Sequence, residues 1–327
     1  MREVLIGKNE VDKRLDGFLK SYFPNASMGF IYKMLRKKNI TLNGKKASGT
    51  EKLHQGDKIA VFFSDETFEK FKGKSIAASG NKREFKALEK LGNIEIIYED
   101  SNILLVNKPT GVLSQKSTNK DLSLNDWLIE YLLNKGEISE AELETYKPSI
   151  CNRLDRNTSG IVICAKSLAG ARVMNQMLKD RTLDKYYRTI VSGKMDKEYK
   201  LSGFLYKDEA KNKVFIKNED PRDDRYSFIE TLFKPLKYSD KDNLTLLEVK
   251  LITGKTHQIR AHLSSQHLPI IGDVKYGGKK IGGLNYQLLH CYRISFPADN
   301  QMPAGFEDLA GKEFVAKVPE IFNKFFG

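Results

Sequence analysis

The run Cys151-Asn152-Arg153-Leu154-Asp155-Arg156-Asn157-Thr158-Ser159-Gly160 places one carboxylate between two arginines, in a turn-rich segment just ahead of the apolar stretch Ile161 to Ala165. A carboxylate at the mouth of a strand can serve as a base, a nucleophile or an electrostatic stabiliser. It can equally cap the following turn through its side-chain oxygens, and the segment alone supports both readings. Three other segments carry side chains with chemistry: Asn107-Lys108-Pro109-Thr110-Gly111, Lys185-Tyr186-Tyr187, and Leu251 to Leu263 with Thr256, His257, Gln258, Arg260 and His262. His257, His262 and His267 recur at intervals of five, which does not keep imidazoles on one helical face, and no carboxylate motif accompanies them. No metal site is expected. In this stretch Ile259 and Leu263 are expected to face the core, with Thr256 capping and His257 and Gln258 orienting neighbours through hydrogen bonds.

The elements that must position these groups belong to a chain of 327 residues. Single cores stop growing near roughly 250 to 300 residues, so two folded units are expected. Lys and Arg number 55 against 42 Asp and Glu, a formal charge of +13, which points to a polyanion as partner, nucleic acid first. Residues 1–63 hold 13 of the basic and 6 of the acidic residues, so over half of the excess sits in about a fifth of the chain. That asymmetry marks a separate basic module. Three cysteines, Cys151, Cys164 and Cys291, make an odd count without CxxC spacing, which fits a reducing cytoplasm and neither a disulfide framework nor a thiolate metal site. The amino terminus lacks an apolar signal core, and no run approaches the roughly 18 apolar residues of a membrane span.

In the basic module, a short strand near Val4 to Ile6 precedes Leu15, Phe18, Leu19 and Tyr22 at helical spacing, and Pro24 ends that helix. Ser27 caps a second helix whose Phe30, Ile31, Met34 and Leu35 face inward, leaving Lys33, Arg36, Lys37 and Lys38 in solvent. Ile40 to Leu42, the Asn43-Gly44 turn and Lys58 to Phe63 complete a small sheet. Residues 64–90 turn polar and are expected to form a flexible linker with a helical end, letting the module engage its ligand independently. Beyond Gly92 strands dominate (94–98, 103–106, 161–165, 187–191, 228–233, 244–251 and 288–296), with helices at 123–133 and 169–179. Alternating βα units are missing, so the expected class is α+β with a mixed, largely antiparallel sheet, not a dinucleotide fold.

Arg14-Leu15-Asp16 with Leu19, the Ser-led basic helix, Ile40-Thr41-Leu42-Asn43-Gly44 and Leu53-His54-Gln55-Gly56-Asp57-Lys58-Ile59 together resemble the S-four-type RNA-binding module over about residues 12–63. The resemblance implies that Arg36, Lys37, Lys38, Lys45 and Lys46 hold RNA phosphates, with salt-dependent binding as counterions are released. The four chemistry-bearing segments, with Pro269-Ile270-Ile271-Gly272-Asp273-Val274-Lys275-Tyr276-Gly277 following, resemble in order the KPxG, HRLDxxTSG, KxY, TGRTHQIRxHL and PIxGDxxYG patterns of RluA-like pseudouridine synthases. One departure stands out: Asn152 occupies the place of the usual histidine.

This second resemblance implies a pseudouridine synthase fold at 91–327, preceded by the RNA-binding unit at 1–63 and the linker at 64–90. It implies isomerisation of uridine in RNA, most of all large-subunit ribosomal RNA, to its C-glycoside, without metal or cofactor, by a cytoplasmic monomer. The essential aspartate falls on Asp155, the active-site tyrosine on Tyr187 and the active-site arginine on Arg260. Each conceivable route, addition to the base, attack on the sugar carbon or abstraction of a sugar proton, requires an ionised carboxylate close to the target. Arg260 can pair with it in two-point geometry and keep it charged, which Lys does less well. Tyr187 offers a ring for stacking on uracil and a hydroxyl for proton transfer, or else a core contact, while Tyr186 points to the opposite face of its strand. A uridine within folded RNA must leave its stack to be reached, and Arg153 either braces the vacated space or forms a salt bridge.

Overall fold

Leu15, Phe18 and Leu19 bury one face of helix α1 (Leu15–Tyr22), as their spacing requires, in the computed structural model of the protein. The structure describes residues 1–72, 84–210, 212–298 and 301–326. Ahead of α1 runs strand β1 (Arg2–Leu5), and after it α2 (Met28–Arg36) begins at Ser27, whose Oγ accepts the Phe30 N–H at 3.2 Å. Strands β2 (Ile40–Leu42) and β3 (Lys45–Lys46) are joined by Asn43-Gly44, both at positive φ, the two-residue turn that suits a twisted hairpin. With β4 (Lys58–Val61) they form a sheet in the order β1-β4-β2-β3 over a core of Phe18, Phe23, Ile31, Leu35, Ile40 and Ile59. Arg36, Lys37, Lys38, Lys45 and Lys46 are all exposed on this unit.

The expected linker at 64–90 is helical at both ends. Helix α3 (Asp65–Lys72) buries Phe68 in the core of the small unit, and α4 (Lys86–Leu91) buries Ala87 in that of the large one. Residues 73–83 of that stretch lie outside the described residues. The two units also touch directly. Lys13 Nζ donates to the Thr145 carbonyl at 2.9 Å, Thr145 Oγ1 donates to Glu10 at 2.6 Å, and Lys72 Nζ lies 2.7 Å from Glu144. These contacts set the small unit against the large one at Glu10, Lys13 and Lys72.

The large unit contains β5 (Glu95–Glu99), β6 (Ile103–Lys108), α5 (Leu124–Asn134), β7 (Ser149–Ile150), β8 (Ser159–Ala165), α6 (Leu168–Asp180) and β9 (Asp184–Ser192). It continues with β10 (Tyr199–Asp208), β11 (Lys213–Lys217), β12 (Tyr226–Ser239), β13 (Leu244–Leu251), α7 (Gln258–Ser265), β14 (Leu289–Ser295) and β15 (Glu313–Val315). The sheet order is β11-β10-β12-β13-β9-β14-β8-β6-β5, with β15 on β14 and β7 on β8. Among the strands named here only β14 and β8 pair in parallel, so the fold is the α+β, largely antiparallel arrangement the pattern called for. The β10–β11 hairpin was not foreseen, because these two strands at one end of the sheet alternate too weakly to stand out. At the parallel junction Gly160 has φ +113°, and a Cβ there would meet the Cys291 carbonyl oxygen at 2.2 Å. Only glycine fits between β8 and β14, which gives the Thr-Ser-Gly of the Asp155 segment its physical reason.

Candidate active site

The segment carrying Asp155 has no regular secondary structure, so its shape depends on side chains that hold its backbone. Ser114 Oγ donates to the Leu154 carbonyl at 2.7 Å and accepts the Leu154 N–H at 3.1 Å. Gly111 N–H donates to the Arg156 carbonyl at 2.9 Å. Asn152 places its Oδ1 on the Ile163 N–H at 2.7 Å and its Nδ2 3.4 Å from the Ile161 carbonyl, so the side-chain amide extends the β7 pairing along β8. In this chain the residue at the departure from the family pattern therefore secures the turn against the sheet. The Thr158 N–H is accepted by the backbone carbonyl of Asp155 at 3.0 Å, which leaves the carboxylate free of the turn.

Beneath the turn, Lys108 is fully buried at the end of β6, and its Nζ donates to the carbonyls of Val112 at 2.8 Å, Pro109 at 3.1 Å and Arg156 at 3.1 Å. An ammonium has three donors and no acceptor, so three converging carbonyls match it fully. Burial pushes the amine down to about 7, against the pull of the Asp155 charge. Sequence reading singled out the segment that holds this lysine but gave the residue no role of its own, although a lysine closing an apolar strand just before proline was the available signal.

Arg260, on the first turn of α7, donates through Nη1 to Asp155 Oδ2 at 2.9 Å. Its two-point contact is elsewhere: Nε and Nη2 reach Asp273 Oδ2 and Oδ1 at 2.7 and 2.8 Å. The expected forked pairing with Asp155 is thus corrected, because the fork is taken by a carboxylate that is only 1% exposed while Asp155 faces the opening. Burial works against the Arg260 charge, and the hydrogen bonds and charges of Asp273 and then Asp155 together outweigh it, holding the guanidinium above its ordinary range. The Tyr276 ring lies under the guanidinium, its centroid 4.9 Å from Cζ.

Helix α7 does not start from a Thr256 cap. His257 occupies that position in a left-handed conformation, φ +54°, and no side chain caps the helix. Instead Gln258 knits the start of α7 to its neighbours, accepting from Thr253 Oγ1 at 2.9 Å and the Lys255 N–H at 3.1 Å and donating to the Glu230 carbonyl at 3.0 Å. The left-handed turn aims His257 at the site, with Nδ1 2.9 Å from the Tyr276 hydroxyl and Nε2 3.7 Å from Asp155. Burial pushes this imidazole down to about 4 despite the Asp155 charge, so it is neutral at physiological pH. His262 sits elsewhere, against Thr231 Oγ1 at 2.9 Å.

Tyr187 on β9 faces the cleft floor and is 5% exposed, with its hydroxyl set against the Cys291 thiol. Burial raises that hydroxyl well above its ordinary range, followed by the influence of Cys291. Tyr186 points the other way, beneath the Arg293 guanidinium at 4.0 Å. Arg153 is exposed at the cleft rim. Asp155, Tyr187, Arg260 and Arg153 thus line one cleft of about 960 Å³, whereas the five basic residues of the small unit do not line it. Among the described residues lining it, nine are Lys or Arg and a single one, Asp155, is acidic.

A cleft of this charge, built from these segments in this order, has counterparts. The pattern described as RNA pseudouridylate synthase matches residues 102–265. The chain belongs to the RNA pseudouridylate synthase family. Over 325 residues the synthase is 30% identical to the ribosomal large subunit pseudouridine synthase C of Rickettsia bellii, covering 98% of this chain and 99% of that one. Against the corresponding synthase D of Borreliella burgdorferi it is 32% identical over 233 residues, 70% of this chain and 66% of that one. In three dimensions it resembles human RNA pseudouridylate synthase domain containing 4, with a TM-score of 0.55 and 22% identity over 73% of this chain and 92% of that one, a likeness of fold. Its reaction is therefore isomerisation of uridine in RNA to pseudouridine.

Proposed function

We propose that the synthase modifies large-subunit ribosomal RNA, with Asp155 as its essential carboxylate and no cofactor. The observation that carries this reading is the solitary position of Asp155 among nine cationic side chains, 2.9 Å from Arg260. A positive cleft gathers the RNA backbone, and its one carboxylate is left to meet the nucleoside. Near-full coverage of relatives named for the large ribosomal subunit favours that substrate.

The chemistry follows from the parts. The target uridine leaves its stack, at a cost of a few kcal/mol, and enters the cleft with Arg153 at the rim beside the vacated space. Asp155 acts on the sugar or the base to free the glycosidic bond while the uracil stays enclosed, and the bond then reforms through carbon. Arg260, held by Asp273, presents one N–H to the carboxylate without having to reorganise. Tyr187 closes the floor against the base, and a phenol kept so firmly neutral serves better as a packing surface and proton relay than as a base. The small unit, through Arg36, Lys37, Lys38, Lys45 and Lys46, acts as an S-four-type module that holds RNA phosphates outside the cleft.

The test is product analysis on unmodified ribosomal RNA with Asp155→Asn. This isosteric change abolishes pseudouridine formation while RNA affinity stays within about threefold of wild type, since the carboxylate opposes rather than assists phosphate binding. Retained turnover would remove Asp155 from the chemistry, and liberation of free uracil by the wild type would replace isomerisation with hydrolysis.

A further inference from the structure

Lys185 stands on the same strand face as Tyr187, two residues or about 7 Å before it along β9. The residue lines the cleft yet is only 7% exposed, and its ammonium makes a single long contact among the described residues, Nζ to the Leu183 carbonyl at 3.4 Å. Lys108, the other buried lysine near the site, shows what a saturated ammonium looks like, with three carbonyls at 2.8 to 3.1 Å. Lys185 lacks that saturation. Its neighbour in sequence, Asp184, turns to the opposite face of the strand, where Lys250 Nζ holds it at 2.6 Å. On the same wall of the cleft lie two exposed cations, Lys179 near the end of α6 and Arg181 at its C-cap. Arg181 takes a left-handed conformation there, φ +61°, the turn that leads α6 into β9.

We propose that Lys179, Arg181 and Lys185 form a phosphate-binding wall that grips the RNA backbone next to the target nucleotide. The inference rests on the synthase reading of the cleft and adds to it a subsite for one or more phosphodiesters. The spacing fits: a nucleoside packed over Tyr187 places its own backbone a few ångströms away, within reach of an ammonium one pleat along the same face. The electrostatics fit as well. Burial, and the Arg181 charge after the opposing pull of Cys291 and Asp184, lowers the Lys185 amine, and an incoming phosphate offsets both penalties. A partly buried cation with spare donors favours an anion that can enter the cleft and accept more than one N–H, as a phosphodiester does.

The experiment uses the full chain and an unmodified large-subunit ribosomal RNA transcript, and measures RNA affinity against salt together with steady-state pseudouridine formation. Lys185→Met keeps the apolar stem and removes the charge. It is expected to reduce the salt slope by about 0.7 to 0.9 and to raise KM by about tenfold with a much smaller change in kcat. Lys185→Arg restores both. An unchanged slope, or a fall in kcat at constant KM, overturns the proposal. Should Lys185→Met fold poorly, the surface pair Lys179→Gln and Arg181→Gln gives an independent reading: a slope lower by about 1.5 supports the wall, and a wild-type slope sinks it. Failure of the underlying reading would look different, as a wild-type protein that binds the transcript and forms no pseudouridine in it.

Discussion

Arg260 and Asp273 face each other through two parallel hydrogen bonds, Nε to Oδ2 at 2.7 Å and Nη2 to Oδ1 at 2.8 Å, both buried. The pairing fixes the plane of the guanidinium and so decides where the remaining Nη1 donor points, which is at Asp155. Asp273 is thus linked to Asp155 through Arg260.

Asp273→Ala leaves Arg260 buried without its partner. Breaking a buried pair from one side costs about 3 to 5 kcal/mol, and a loss of that order is expected in urea denaturation. Asp273→Asn keeps one acceptor and the shape, so it is expected to fold and to lose turnover with little change in KM. Wild-type kcat in Asp273→Asn would show that Arg260 needs no such clamp.

Lys108 is expected to act on the same turn from below. Lys108→Met strands the Pro109 and Val112 carbonyls and leaves the Arg156 carbonyl with the Gly111 N–H alone, and a buried polar group left unsatisfied costs about 1 to 3 kcal/mol. With two carbonyls stranded, urea denaturation is expected to show a loss of about 2 to 6 kcal/mol. Because one of the three belongs to Arg156, beside Asp155, kcat should fall more than RNA affinity does. A stable Met variant with normal kcat would reduce Lys108 to an ordinary strand end.

Acid should destabilise the fold over a window set by histidine. Burial holds His257, His262 and His290 each at about 4, below the ordinary value of 6.5. Between those values the unfolded chain binds protons that the folded one refuses, so the stabilisation is whole above pH 6.5 and is lost as pH falls through about 4. Each histidine contributes up to about 1.4 kcal/mol per pH unit in that window. Urea midpoints measured from pH 7.5 down to 5 should decline below 6.5, and His262→Gln should make the decline shallower. A flat profile across the window contradicts the neutral, buried state of these rings.

The amino-acid sequence by itself determined the elements and much of the site's cast. Helix α2 begins at Ser27 and the β2–β3 hairpin turns at Asn43-Gly44 because caps and tight turns are set by residues within a few positions of one another. Asp155, Tyr187 and Arg260 were legible through the ordered segments that carry them, and the structure brings all three to one cleft. The allocation of hydrogen bonds was left to the tertiary structure. Whether Arg260 turns its fork to Asp155, 105 positions away, or to Asp273, 13 away, depends on which carboxylate the fold buries beside it, and no local pattern encodes that choice. The same holds for Lys108, whose three acceptors converge only after β6 and the Asp155 turn have packed together, and for Lys185, whose spare donors matter because the fold opens a cleft beside them. Spacing along a chain specifies which face a side chain takes; which partner waits there is set by long-range packing.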